Sequence, residues 1–194
     1  MNRSHFFLLV FAGIAFQTNA QTVSFYRENI EMKLDPAHLS VKAEYYYRNS
    51  YNSELTQTLF VPISPVSGNM KVDTFSIFDE TQNVRLSHCR RLPAGLFFQV
   101  NFHPLEQKKI RISYVMDHDG RYARYLVMTH ANYWKRPALQ GTYSLEFEDP
   151  ALKFDSASYK PDKTTISGEK TTLLWQKLNF KPDRELEFWF HLEK

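Results

Sequence analysis

The stretch ANYWKRPALQGTYSLEFEDP, residues 131–150, joins an aromatic and basic segment to the most regular strand pattern in the chain. Apolar and polar residues alternate through that strand, with Tyr143, Leu145 and Phe147 set against Ser144, Glu146 and Glu148. Side chains on a strand point to opposite faces in turn, so this pattern predicts one buried face and one solvent-exposed face. Pro150 then removes a backbone donor and ends the strand.

The same period of two recurs through most of the chain, separated by short segments rich in Pro, Asp, Asn and Gly. The apolar sets are Ile30/Met32/Leu34, Leu39/Val41/Ala43/Tyr45/Tyr47, Leu96/Phe98/Val100/Phe102, Ile110/Ile112/Tyr114/Met116 and Leu186/Phe188/Phe190/Leu192. Residues 72–78 and 84–89 predict a hairpin around the polar stretch between them. The sequence therefore predicts an all-β fold, an antiparallel β-sandwich of about ten to twelve short strands. We expect a single domain over residues 21–194, with a division near Thr129–Tyr133 as the alternative.

Composition narrows the class of protein further. The chain has 194 residues, of which 43% are hydrophobic, and its formal net charge is +3. Its basic residues are spread among acids, as in Lys42/Glu44, whereas a nucleic-acid binder usually gathers them on one face. We therefore expect no nucleic-acid partner. The lone Cys89 cannot form an internal disulfide, so stability must come from the core.

The first twenty residues resemble a leader for export. Arg3 supplies a positive charge, residues 6–16 are largely apolar, and Ala20 offers a small residue for cleavage before Gln21. The apolar run of about 11 residues is shorter than the ~20 needed to span a bilayer. We expect a signal peptide over residues 1–20, a mature chain without a transmembrane span, and a periplasmic or secreted location.

Three features together resemble the N-terminal, non-catalytic β-sandwich domain of zinc-dependent aminopeptidases. They are the opening pair of strands at 29–35 and 39–45, the strand at 109–114, and Tyr133–Pro137 followed by the strand at 141–147. In that family an aromatic-proline loop precedes a strand of this type, and related exported bacterial domains of unknown function share the architecture. The catalytic helix of the family has two His four apart with a Glu after the first. That pattern does not occur here, so the resemblance implies a sandwich without peptidase activity, metal or cofactor.

Two clusters could carry chemistry. Asp117-His118-Asp119 could ligate a metal or act as a general base, but Asp119-Gly120 between two alternating strands favours a hairpin turn. Cys89 lies beside His88 and two arginines that would favour a thiolate. Adjacent strand residues face opposite ways, however, and a free cysteine is more often a packed thiol.

Tyr133, Trp134, Lys135 and Arg136 are the candidate binding residues. They lie between strands, and Trp and Arg are frequent anchors of interfaces. The competing interpretation is a loop that folds its Trp back onto the core. By contrast, alternation turns Tyr45 and Tyr47 inward, where core packing explains them.

The sequence thus favours a non-catalytic exported interaction module of the bacterial periplasm or cell surface, which binds a protein partner. One alternative is a hydrolase whose site uses Cys89 or the Asp117–Asp119 cluster. The other is a small outer-membrane barrel, whose strands also alternate, although several strands here are shorter than the ~9–11 residues that crossing needs.

The first prediction concerns cleavage of the leader during export. In the native host the mature chain should begin at Gln21, because the small residue at position 20 follows a short apolar segment. Mass spectrometry of the mature N-terminus measures this directly. A chain that still carries Met1 would contradict it.

Overall fold

The computed structural model describes residues 23–63, 72–92, 95–128 and 138–193. In these ranges the chain forms fourteen strands and no helix, so nothing described is a helix long and apolar enough to cross a membrane. The strands are β1 (Ser24–Leu34), β2 (His38–Arg48), β3 (Leu55–Pro62), β4 (Val72–Asp79), β5 (Val84–Arg85), β6 (Cys89–Leu92), β7 (Gly95–Phe102), β8 (Gln107–Asp117), β9 (Tyr122–Tyr125), β10 (Ala138–Phe147), β11 (Leu152–Ala157), β12 (Lys163–Ser167), β13 (Lys170–Phe180) and β14 (Leu186–Leu192).

The strands form one large sheet and two small ones. The large sheet has eight strands in the order β12-β13-β10-β1-β2-β8-β4-β5. The small sheets, β3-β7-β6 and β11-β14-β9, each have three strands. Both pack on the apolar face of the large sheet, as ring contacts show: Tyr47 on β2 meets Phe102 on β7, and Trp175 on β13 meets Phe188 on β14. The predicted all-β sandwich is confirmed.

The alternating patterns place the core where the sequence predicts it. Tyr143, Leu145 and Phe147 are buried, with exposures of 1%, 0% and 1%. The inner sets of β1, β2, β7 and β8 are likewise buried. Leu192 is the exception, since it lies at the end of β14 and is 47% exposed. Alternation identifies the inner face well because each of these strands has one face against the core and one in solvent.

The sheet departs from the predicted antiparallel order at one pair. β1 runs antiparallel to β2 but parallel to β10, in a register from Arg27↔Gln140 to Leu34↔Phe147. Two segments so far apart in sequence pair without a local hairpin, so no turn signal could indicate their relative direction.

The region around residues 79–92 is also more broken than expected. The strand predicted over residues 84–89 is instead β5, of two residues, followed by residues 86–88 outside any strand and then β6 in another sheet. Short pieces of this kind raise the number of strands to fourteen, above the expected ten to twelve. Asp79 sets the turn before β5, because its carboxylate accepts hydrogen bonds from the N–H groups of Thr81 and Gln82.

A buried ammonium group ties two turns together at this end of the sandwich. Lys108 on β8 is fully buried, and its Nζ lies 3.0 Å from the Asp79 carboxylate and 3.2 Å from that of Glu106. The Glu106 carboxylate also accepts the backbone N–H of His103, at 2.7 Å. The ring of Phe102 lies under the ammonium at 5.9 Å. One cation therefore links the β4–β5 turn to the β7–β8 turn.

This arrangement predicts a large stability cost for Asp79→Ala. The change leaves a buried ammonium with one of its two carboxylates and removes the acceptor of the turn, and breaking a buried pair in this way costs about 3–5 kcal/mol. Urea unfolding monitored by circular dichroism measures the change. The matched control is Glu31→Ala, which breaks the exposed pair with Lys42 and should cost no more than about 1 kcal/mol. Equal costs for the two variants would contradict a structural role for the buried charge.

Candidate functional site

The outer face of the eight-stranded sheet carries a groove bounded by β1, β2, β8, β4 and β5. Its volume is about 460 Å³. Strand register aligns its side chains, all polar except Val115, in two rows that run across the sheet. One row is Lys33–Ser40–Val115–Thr74, and the next is Glu31–Lys42–Ser113–Ser76. Ligand sites commonly have volumes of about 300–1,000 Å³, so the groove is of the size that holds a small molecule.

The depression arises from side-chain length. Ser40 on β2, Ser113 on β8 and Ser76 on β4 belong to these rows and have short side chains. Long side chains stand at the edges, from β1 and β2 on one side and from Arg85 on β5 on the other. A sheet with short residues between long ones leaves a hollow, and here the floor of that hollow carries serine and threonine hydroxyls beside the apolar side chain of Val115.

Both lysines that line the groove form ion pairs with neighbouring carboxylates. Lys42 Nζ lies 3.0 Å from Glu31, and Lys33 Nζ lies 2.9 Å from Glu148. The hydrogen bond and the charge of Glu148 raise the pKa of Lys33 above its ordinary value, so this ammonium stays protonated at neutral pH. Arg85, on the opposite side, has no ion-pair partner within the described ranges.

A second polar feature lies inside the core, below the seam between β1 and β10. Glu28 on β1 is fully buried and accepts a hydrogen bond from the Tyr143 hydroxyl. Gly141 pairs with Glu28 across the seam, and a Cβ there would lie 2.8 Å from the Tyr143 hydroxyl oxygen. Glycine at 141 therefore makes the space through which Tyr143 reaches the carboxylate.

Nearby, the hydroxyls of Tyr45 and Tyr125 hydrogen bond to each other at 2.8 Å. This contact joins β2 of the large sheet to β9 of a small one. A crevice beside Tyr143, lined also by Tyr159, Trp175 and Phe180, has a volume of only about 10 Å³. That is room for about one water molecule, so the buried tyrosines serve the core rather than a ligand.

The candidate binding residues Tyr133, Trp134, Lys135 and Arg136 lie outside the described residues. Their role in binding stays a prediction from the sequence. The strand that follows them, β10, is described and lies in the middle of the large sheet.

The Asp117-His118-Asp119 cluster leads into a turn between β8 and β9, but these strands lie in different sheets, so the hairpin that the sequence favours is wrong. The Asp119 carboxylate accepts the N–H groups of Arg121 and Tyr122, and Gly120 has a φ of 85°. His118 donates from Nε2 to the Asp35 carbonyl and accepts the Gly120 N–H at Nδ1. Both ring nitrogens are thus occupied by backbone groups. Across the described parts of the chain, no group of three or more His, Cys, Asp or Glu is placed to hold a metal.

Cys89 begins β6 and is half-buried, with its side chain packed against the core. Its cross-strand neighbour is Phe98, and the ring of His88 contacts the Ser87 hydroxyl at 3.3 Å. The packed-thiol interpretation fits this position. The hydrolase alternative would need a base at hydrogen-bond distance from the thiol, and the described contacts of Cys89 include none.

Sequence reasoning missed Glu28, Lys108 and the groove. A signal for the first two is present, since Glu28 is in phase with Ile30 and Lys108 is in phase with Ile110. Continuing each alternation by one step places both charges on the inner face. The groove has no such signal, because it depends on which residues register places side by side.

No protein-family model matches the sequence, and no curated protein is significantly similar to it in sequence. Solved structures do share its fold. One is a protein of Legionella pneumophila, provisionally described as a nutrient binding protein, with 16% identity and a TM-score of 0.65. The match covers 87% of this chain and 67% of that one.

Another is an M1 zinc metallopeptidase of Deinococcus radiodurans, with 9% identity and a TM-score of 0.50. That match covers 87% of this chain but only 42% of the peptidase. This chain therefore spans about two fifths of the peptidase's length. The resemblance to the zinc peptidases is confirmed as a likeness of fold, and at these identities fold is what the likeness shows.

The buried tyrosines predict loss of stability at alkaline pH. Burial raises the pKa of Tyr45, Tyr125 and Tyr143 well above the ordinary value of 10.0, and the charge of Glu28 adds to this. Burial does the same at Tyr47 and Tyr114. In the unfolded chain these phenols ionise above pH 10 while the folded protein keeps them neutral. Their contribution is therefore complete below pH 10 and is lost above it, by roughly 1.4 kcal/mol per pH unit for each phenol.

Urea unfolding between pH 8 and 11.5 measures this effect. We expect a nearly constant free energy of unfolding up to about pH 10 and a steep fall above it. Tyr125→Phe removes one of these phenols, so it should reduce the slope of the free energy of unfolding against pH by about 1.4 kcal/mol per pH unit. A free energy that stays flat to pH 11.5 would contradict the neutral, buried state of these phenols.

Proposed function

We propose that this chain is a non-catalytic, exported β-sandwich module that binds a ligand in the groove on its eight-stranded sheet. The observation that carries the proposal is the groove itself, a hollow of about 460 Å³ with a hydroxylic floor and charged edges. The module would act in the bacterial periplasm or at the cell surface.

The setting of the groove suits binding. Its residues come from neighbouring strands whose other faces are packed against the core, as with Val41 and Ile112 beside Lys42 and Ser113. The backbone of such strands is held in position before a ligand arrives. A preformed site loses less conformational entropy on binding than a site on a loop.

The chemistry of the lining supports binding rather than turnover. A serine becomes a nucleophile when a base lies within hydrogen-bond distance of it. The described residues that line the groove include hydroxyls, two lysines, Arg85 and Glu31, but no histidine or cysteine. Such a lining can hold a polar ligand through hydrogen bonds and charge without activating a nucleophile.

Two further observations support the proposal. The leader-like residues 1–20 favour export. The Legionella protein of the same fold is described as binding a nutrient, and ligand binding by this chain is in keeping with that description. The segment containing Tyr133, Trp134, Lys135 and Arg136 remains the predicted contact for a protein partner.

A thermal-shift screen with soluble sugars, sugar acids, amino acids and short peptides tests the proposal. A ligand at 100 times its Kd stabilises the native state by about 2.7 kcal/mol, which is readily detected. The test variant is Ser113→Trp, which fills the floor of the groove from the solvent face. The matched control is Thr58→Trp, at an exposed strand position in a different sheet.

We expect at least one compound to stabilise the wild type and the Thr58→Trp variant but not Ser113→Trp. Mass spectrometry should recover that compound chemically unchanged. A screen without stabilisers, or stabilisation that persists in Ser113→Trp, would contradict the proposed site. Conversion of the compound by the protein would contradict its non-catalytic role.

A further inference from the structure

We infer that the groove takes a small hydroxylated anion, a compound with several hydroxyl groups and at least one carboxylate or phosphate. This inference rests on the proposed function, because it assigns a ligand class to the same groove. Three properties carry it: the charge of the edges, the chemistry of the floor, and the volume.

The edges of the groove favour negative charge. Three cations, Lys33, Lys42 and Arg85, line it, against the carboxylate of Glu31 in the lining and that of Glu148, which pairs with Lys33. Lysines stand on one side and the arginine on the other, so a bound anion meets cations in either orientation. The charge of a complementary ligand is therefore negative.

The existing ion pairs leave these cations available. The partners in Lys33–Glu148 have exposed side-chain fractions of 53% and 40%, and those in Lys42–Glu31 have 43% and 60%. Exposed pairs of this kind contribute only about 0–1 kcal/mol, so a lysine can exchange its carboxylate for that of a ligand at little cost. Arg85 offers a planar fork of donors, which binds carboxylate or phosphate through two parallel hydrogen bonds.

The floor of the groove favours hydroxyl groups on the ligand. Ser40, Ser76, Ser113 and Thr74 each offer one donor and two acceptor positions, and the apolar side chain of Val115 between them can contact the carbon face of a sugar-like ring. Ligand hydroxyls also donate and accept, so the two sets can satisfy each other. A ligand with anionic groups alone would leave the serine donors partly used and their acceptors unused.

Size and spacing fit a ligand of one or two sugar units. The backbone of β2 is three strands away from that of β5, or roughly 14 Å at the usual spacing. Lysine and arginine side chains reach inward from both sides of that span. A compound with a compact hydroxylated ring and an anionic arm would touch the floor and one edge together.

Three probes that differ only at one carbon test the inference: glucose, glucuronate and glucose 6-phosphate. Each is titrated into ¹⁵N-labelled protein in buffer with about 150 mM salt, and amide chemical shifts are followed. Millimolar binding is visible in this way and is located residue by residue. The test variant is Arg85→Gln, and the matched control is Arg90→Gln, an exposed strand arginine in another sheet.

We expect glucuronate or glucose 6-phosphate to shift the amides of Ser40, Ser76 and Ser113, with glucose at least tenfold weaker. A response to one anion alone distinguishes carboxylate from phosphate recognition. Arg85→Gln should weaken the anion at least tenfold, and Arg90→Gln should leave its affinity unchanged.

The outcomes separate this inference from the proposed function. Equal shifts with glucose would overturn the anionic class while leaving ligand binding in the groove intact. No shift of the groove amides by any of the three probes would also overturn the inference, and the compound screen would still decide the proposed function. Equal weakening by Arg85→Gln and Arg90→Gln would mean general charge attraction and would overturn it as well.

Discussion

The parallel pairing of β1 with β10 is the constraint on which the large sheet depends. Eight residue pairs, from Arg27↔Gln140 to Leu34↔Phe147, join an antiparallel group from the first part of the chain to another from the last part. The first group is β1, β2, β8, β4 and β5, and the second is β10, β13 and β12. Without this seam there would be two narrower sheets, each with an open edge where the other now pairs.

Both faces of β1 take part in the polar chemistry of the molecule. Glu31 and Lys33 point outward to the groove, whereas Glu28 points inward to Tyr143. The glycine that admits this inner contact, Gly141, lies on the partner strand of the same seam. On the other edge of β1, the antiparallel pairing with β2 sets Lys33 beside Ser40 and Glu31 beside Lys42.

Buried charge also specifies register in this fold. Lys108 and Glu28 both occupy inward positions, next to Tyr47 and Tyr45 of the intervening strand. Desolvating such groups is unfavourable, and their hydrogen bonds offset that cost only in one alignment. A slip of β8 by one residue would turn Lys108 to solvent and bring Lys109 inward, away from Asp79 and Glu106. The apolar residues drive burial, while these polar contacts discriminate among alignments that apolar residues alone would tolerate.

Much of the fold follows from the sequence because strand alternation is local. Tyr143, Leu145 and Phe147 are buried as their pattern predicts, and the Asp119-Gly120 turn follows from its own turn chemistry. The β1–β10 pairing does not follow, since nothing near either strand encodes a partner so far away. The candidate site is harder still to predict. Ser40, Ser76 and Ser113 look like ordinary solvent-facing residues until register places them side by side.

The seam has a consequence for the order in which the chain can fold. Glu28 and Tyr143 are 115 residues apart in sequence, so β1 gains its second neighbour only after a long stretch of chain has followed it. Until then β2 covers one edge of β1 and the other is open, a template for pairing with a different molecule. Structures dominated by such distant pairings fold slowly and expose these edges for longer. During synthesis, any sheet that β1 and β2 form early therefore keeps one unpaired edge until residues 138–147 have been made.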